Sequence, residues 1–336
     1  MPYTLLLLLA ACTGAPTDTD KDADTAGDTD TATPVDADAD GSPVEEDCDD
    51  ADATVNPSAP EVPWDDIDND CAGGDDRGWL DVSAVGSVAC GVDRAGAARC
   101  WGDVDGRGLE DIPAGPFTQI ALGDDFACAL DAAGVATCWG ADPTLSGEAF
   151  ANIDAAGAHL CGARLDGSVE CSFDVSPDGP VVAGTWSSAA AGMAYACALD
   201  ASGGLDCWNA GIGGGSDFGQ AVAPDGQYVA VDAGPYHACA LTTAGTVTCW
   251  GLDSDGRTIS PAGAYTALSV GGEHACAVDA AGALTCWGSN GYGQSDAPAG
   301  PFASVSAGNN LSCGLRVDGA VACWGANGDG QLEVPR

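Results

Sequence analysis

The chain has 336 residues, with 51 Asp and Glu against nine Lys and Arg, and a formal net charge of −42. So acidic a balance excludes nucleic acid and anionic lipid as ligands, because both require a basic surface. Its 17 cysteines and 46% hydrophobic residues instead describe a folded chain of an oxidising compartment.

At the N-terminus, Leu5 to Leu9 form a short apolar run that leads into Leu9-Ala10-Ala11-Cys12. This resembles a bacterial lipobox, which implies a signal peptide over residues 1–11 and lipidation of Cys12. No Lys or Arg precedes the run, whereas signal peptides carry such charge; the alternative is a plain secretory signal. No other apolar stretch is long enough to span a bilayer. Membrane association is therefore expected only through the lipid, at the bacterial outer membrane or cell surface. Residues 12–35 are a Thr/Asp/Ala tract with almost no large apolar side chain. Such a tract cannot form a core and is expected to be a disordered tether.

Residues 36–77 are more informative. Asp36, Asp38 and Asp40 stand at positions one, three and five of a loop with Gly41 at six and Asp47 at twelve. That is the spacing of an EF-hand calcium loop, with Asp in place of the final Glu. Alternate carboxylates can converge on one hard cation, and the glycine permits the sharp turn. Asp49, Asp50, Asp52, Asp66, Asp68 and Asp70 follow, around Cys48 and Cys71. The stretch resembles an Asp-rich metal-binding motif of secreted bacterial proteins, and Pro57, Ala59 and Glu61 match it too. The motif family usually carries another cysteine near Pro63, absent here, and Cys48 is expected to pair with Cys71. One relative in the motif family binds copper, but all-oxygen ligands favour Ca²⁺ as a structural cofactor. The alternative is a solvated acidic linker.

From residue 78 the chain repeats. Fourteen cysteines form seven pairs of identical spacing: Cys90 and Cys100, Cys128 and Cys138, Cys161 and Cys171, Cys197 and Cys207, Cys239 and Cys249, Cys276 and Cys286, Cys313 and Cys323. Eleven residues before each first cysteine stands an aromatic (Trp79, Phe117, Phe150, Trp186, Tyr228, Tyr265, Phe302), and six after it a glycine (Gly96, Gly134, Gly167, Gly203, Gly245, Gly282, Gly319). A tryptophan follows the second cysteine in all units but the third, which has Ser172 and Phe173. Length varies only between the tryptophan position and the next aromatic, so that segment is a loop.

The glycine marks a hairpin. A three-residue loop over Ala132 to Gly134, a type I turn closed by a left-handed glycine, puts Asp131 opposite Val135. Counting outward, Cys128 then faces Cys138 at a separation a disulfide can bridge. The same count predicts seven cross-strand disulfides. Small residues flank the first cysteines (Ala127 and Ala129, Ala275 and Ala277), which lets neighbouring sheets approach closely. Period-two alternation predicts three strands per unit, with a fourth short one in the variable loop. Seven sheets without helical patterning predict an all-β closed ring, because closure removes exposed edges.

The run Gly271-Gly-Glu-His274-Ala-Cys276-Ala-Val, continued by Cys286-Trp-Gly288-Ser-Asn290-Gly-Tyr-Gly-Gln294, resembles the repeat of the regulator of chromosome condensation superfamily. The short period is similar to the compact propeller of the secreted type II β-lactamase-inhibitory protein. The resemblance covers residues 78–336 and implies a seven-bladed β-propeller. It leaves function open, because propellers host exchange factors, inhibitors, lectins and scaffolds.

Catalytic groups are scarce. His159, His237 and His274 all occupy the slot two residues before a first cysteine, filled elsewhere by Val88, Phe126, Tyr195 and Leu311. A slot so shared is structural. The six repeat-locked tryptophans are read as packing rather than as a sugar-stacking ring. The expectation is a lipid-anchored, monomeric, non-enzymatic module that binds a protein or glycan on a calcium-stiffened stalk; an inhibitor of a secreted or periplasmic enzyme is the alternative. Binding residues concentrate in loops held by rigid scaffolds, and Phe173, Phe218 and Tyr292 are the non-repeating loop aromatics that point to the partner site.

Overall fold

The computed structural model describes residues 36–42, 47–49, 51–59, 67, 69, 71, 78–141, 145, 149–173, 181–209 and 217–335. Cys12 and the tether lie outside them. Among the described residues the chain forms, from Trp79 onward, 22 strands in seven antiparallel sheets, each built on three consecutive strands. In the third sheet a fourth strand, Val181–Val182, pairs with Val169 and Glu170. The fold is a seven-bladed β-propeller.

Within each blade the second and third strands place the two cysteines directly opposite. All seven pairs are bonded, with Cα atoms 4.0 Å apart. The hairpin glycines have φ between +80° and +90°, a region that costs other residues free energy. They also meet the next blade. A Cβ on Gly134 would lie 2.3 Å from the Phe150 carbonyl oxygen.

That approach is the joint of the ring. Each repeat glycine's carbonyl accepts a hydrogen bond from the backbone N–H of the next unit's repeat aromatic: Phe117 to Gly96 at 2.8 Å, Phe150 to Gly134 at 2.8 Å, Trp186 to Gly167 at 2.9 Å, Tyr228 to Gly203 at 3.0 Å, Tyr265 to Gly245 at 2.7 Å and Phe302 to Gly282 at 2.8 Å. The seventh bond, Trp79 to Gly319 at 2.8 Å, closes the circle. Closure therefore uses the same contact as every other junction, with no strand exchanged between first and last blades.

The core lies between blades. The alanines of one second strand pack on the cysteine face of the preceding blade, as Ala196 and Ala198 do on Cys161, Ala163 and Cys171. At the closure, Trp79, Val82 and Ala84 pack against Leu311, Cys313 and Leu315, with Leu332 and Val334 of the C-terminal segment added. The indole N–H groups of four of the repeat tryptophans reach sideways. Trp250, Trp287 and Trp324 donate to the carbonyls of Gln220, Arg257 and Gln294 at 2.8, 2.9 and 2.8 Å. Trp101 does the same to Gln331 at 3.0 Å, across the closure.

Candidate functional site

Three regions hold functional chemistry. The first is the Asp-rich loop. Asp36, Asp38 and Asp40 converge with their ligand oxygens within 4.8 Å of one another. One oxygen of each is committed to the loop's backbone: Gly41 N–H donates to Asp36 Oδ2 at 3.1 Å, Asp40 N–H to Asp38 Oδ1 at 3.3 Å, and Ser42 N–H to Asp40 Oδ1 at 2.7 Å. The other oxygen of each, with Asp47 Oδ2, is buried and has no hydrogen-bond partner. Orphaned buried carboxylate oxygens are costly unless a cation satisfies them. Burial pushes the Asp38 carboxyl up from its ordinary value, and the charges of Asp40, Asp47 and Asp36 add to this. Gly41, at φ +103°, makes the turn that folds the loop back. The residues fit a hard, oxygen-seeking cation.

The remaining acidic residues divide. Asp49 Oδ1 accepts from the Ala51 N–H at 3.3 Å, and Asp52 Oδ1 from the N–H and hydroxyl of Thr54 at 3.0 and 2.7 Å. The Thr54 hydroxyl is the main cause holding Asp52 below the usual carboxylate value. These two aspartates shape local turns. Asp50, Asp66, Asp68 and Asp70 lie outside the described residues. Cys48 is bonded to Cys71, with S–S 2.12 Å, so neither sulfur offers a thiolate beside Asp47.

The second region is the propeller axis. Side chains of the innermost strands cap backbone N–H groups of the next blade. Ser83 Oγ accepts from Leu122 at 3.1 Å, Asp154 Oδ2 from Ala191 at 2.7 Å, Asp232 Oδ2 from Val270 at 2.7 Å, Ser269 Oγ from Ala307 at 3.0 Å and Ser306 Oγ from Ala84 at 3.0 Å. Asp81 does likewise for Ile120 at 2.9 Å. Burial raises Asp81 to about 6, and burial raises Asp154 and Asp232 too, with the Asp232 charge adding to the effect on Asp154. These carboxylates act as structural acceptors between blades.

The third region is the face formed by the turns between first and second strands. Each turn offers two residues between the repeat-locked parts of the strands, and here the repeat diverges. Blade 4 supplies Met193, blade 5 Pro235 and Tyr236, blade 6 Gly272 and Glu273, and blade 7 Asn309 and Asn310. Together with Tyr292 and Arg257 they line one depression of about 390 Å³. Phe218 stands edge-on to Tyr236 with ring centroids 5.8 Å apart. Tyr292 is 62% exposed and Phe218 40%. The structure thus brings two of the three loop aromatics to the same turn face. Phe173 is elsewhere: its ring meets that of His159 at a tilt, with centroids 4.3 Å apart, and it packs against the core between blades 3 and 4. The turn residues were missed by the repeat alignment because they lie inside the units, between structural positions.

The slot before each first cysteine is a packing position. His237 and His274 are fully buried. Burial lowers them to about 3 and about 4 respectively. His274 Nε2 pairs with the Ser312 hydroxyl at 2.7 Å, and the Tyr195 hydroxyl donates to the carbonyls of Gly234 and His237 at 2.8 and 2.9 Å.

Comparison with known proteins agrees with this architecture. Residues 228–257, 265–294 and 302–331 match the family model for the regulator of chromosome condensation (RCC1) repeat. Residues 47–77 match a model named for copper binding and described as "Putative metal-binding motif". Three segments of the chain thus match RCC1 repeats, behind a stretch that matches the metal-binding model. The ectodomain of the receptor kinase CR4 from Physcomitrella patens is similar, at 24% identity and a TM-score of 0.62, over 73% of this chain and 72% of that one. The CRINKLY WD40 ectodomain of ACR4 from Arabidopsis thaliana is 25% identical with a TM-score of 0.60, over 76% and 97%. Prp20p from Saccharomyces cerevisiae, a protein with binding properties toward Gsp1p and histones, is 16% identical with a TM-score of 0.53, over 75% and 83%. These are likenesses of fold. No curated protein matches the chain.

Proposed function

We propose that this protein is a lipid-anchored surface protein of the bacterial envelope whose propeller is a non-enzymatic module for a protein or glycan, carried on a calcium-stiffened stalk. The observation that carries the reading is the divergence of the strand-1 to strand-2 turns into Met193, Tyr236, Glu273, Asn309 and Asn310 on one face. A rigid, disulfide-stapled ring with variable turns is the arrangement that binding scaffolds use. The disulfides support an oxidising compartment, and Cys12 supports the anchor.

For the stalk, the four orphaned carboxylate oxygens of Asp36, Asp38, Asp40 and Asp47 favour Ca²⁺ over copper, since copper seeks nitrogen or sulfur and both nearby sulfurs are oxidised. Calorimetric titration of the intact secreted chain with Ca²⁺ is expected to show saturable binding that Asp36→Asn/Asp40→Asn weakens by about tenfold or more. No heat at millimolar Ca²⁺, or a preference for Cu²⁺ over Ca²⁺, contradicts it. For the module, a bound partner is expected to leave chemically unchanged. Turnover lost on a single substitution with the fold intact contradicts the non-enzymatic reading.

A further inference from the structure

We propose that the depression on the turn face takes a lysine or arginine side chain from a basic protein segment. This rests on the reading of that face as the binding face and goes on to name the chemistry of its partner.

Three observations converge. The first is the pair of tyrosines in the lining, Tyr236 and Tyr292. Phe218 braces Tyr236 edge-on from outside the depression, and Tyr292 projects from its loop, its backbone N–H donating to the side-chain carbonyl of the fully buried Gln294 at 2.9 Å. Ring faces attract cations, and a thioether such as that of Met193, 38% exposed, adapts to a flexible stem. The second is local charge. Arg257 is held beneath the depression, donating to Gly272 O at 3.1 Å and Ser254 O at 3.0 Å, with its side chain only 4% exposed. It lies 3.9 Å from both Asp255 and Glu273, whose side chains are 62% and 55% exposed. Glu273 lines the depression and Asp255 flanks Arg257 beside it, so two exposed carboxylates stand against one sunken guanidinium. Asn309 and Asn310 complete the rim with groups able to bond a peptide backbone.

The third observation is the long-range field. Of the 51 Asp and Glu and nine Lys and Arg in the chain, the part from residue 77 onward holds 29 carboxylates and eight arginines by count along the sequence. A field of that sign raises the encounter rate of a basic partner and repels an acidic one. A neutral glycan would use the rings but neither the field nor the surplus of carboxylates around Arg257. The basic segment uses all three.

The probe is a fluorescently labelled peptide of alternating lysine and glycine, added to the full-length secreted protein and read by anisotropy at physiological salt. Tyr292→Ala and Glu273→Gln are each expected to weaken binding by about fivefold to tenfold, while Tyr292→Phe, which keeps the ring, retains it. Asp318→Asn is the control. It makes the same charge change in the hairpin turn between the second and third strands of blade 7, at the opposite face, and is expected to leave affinity unchanged. Equal weakening by Glu273→Gln and Asp318→Asn overturns the proposal, because attraction is then the diffuse field alone. Binding of a neutral oligosaccharide lost in Tyr292→Ala, with the peptide indifferent to that change, overturns the partner class and leaves the binding face standing. Indifference of both probes to every variant on this face removes the face as well.

Discussion

His237 shows how a residue type associated with catalysis becomes a packing part. Both ring nitrogens are buried without a partner, and burial, helped by the Arg257 and His274 charges, drops it to about 3. In the unfolded chain it titrates near the ordinary value of about 6.5. The unfolded state therefore binds the extra proton between pH 6.5 and 3, and stability present above pH 6.5 is lost as pH falls through that window. His274, at about 4, acts with the same sign over pH 6.5 to 4. Phe126 fills the same slot in blade 2, so His237→Phe is expected to keep the fold. It should flatten the fall of denaturation midpoint between pH 6.5 and 4 while changing stability at pH 8 by no more than about 1 kcal/mol. A variant with an unaltered pH profile would show that the histidine is not held neutral. The slot was legible as structural from the sequence because unlike residues share it; the missing partners at His237 were not, because they depend on which neighbours the ring brings.

At the scale of the hairpin, spacing alone carried much of the fold. A left-handed glycine six residues after a cysteine sets the loop, the loop sets the register, and the register places the second cysteine opposite the first. Not legible was the glycine's second duty, accepting the next blade's aromatic N–H, since no local pattern records a contact across a junction. The disulfide lies under the alanines of the following blade, so it staples both the hairpin and the surface on which the neighbour rests. Replacing Cys276 and Cys286 together by Ala is expected to cost about 2–3 kcal/mol, from the entropy of an eleven-residue loop plus lost packing. Chemical denaturation of the purified variant measures it. A loss near zero would mean that the propeller does not rely on its staples. The fourth strand follows the same logic of limits: the pattern suggested one in the variable loop, and among the described residues it is formed in the third blade.

Across the whole molecule, the seven equivalent glycine–aromatic bonds and the axial serine and aspartate caps make a ring whose junctions are alike, including the one that closes it. That regularity explains why the site was only partly readable. Phe218 and Tyr292 stand out as aromatics in loops of unequal length. Tyr236, Met193, Glu273 and the Asn309–Asn310 pair sit in a two-residue column of the repeat, and only closure brings four blades' columns to one depression. In the acidic loop, by contrast, local spacing alone brings Asp36, Asp38 and Asp40 together. The central claim is that this turn face is where the propeller meets its partner. The direct measurement is affinity capture from the producing organism's envelope and medium, comparing the intact protein with Tyr236→Ala/Tyr292→Ala and with Asp131→Asn in the opposite-face hairpin of blade 2. A partner retained by the intact protein and by Asp131→Asn, but lost from the double tyrosine variant, is the predicted result; equal retention by all three would contradict it.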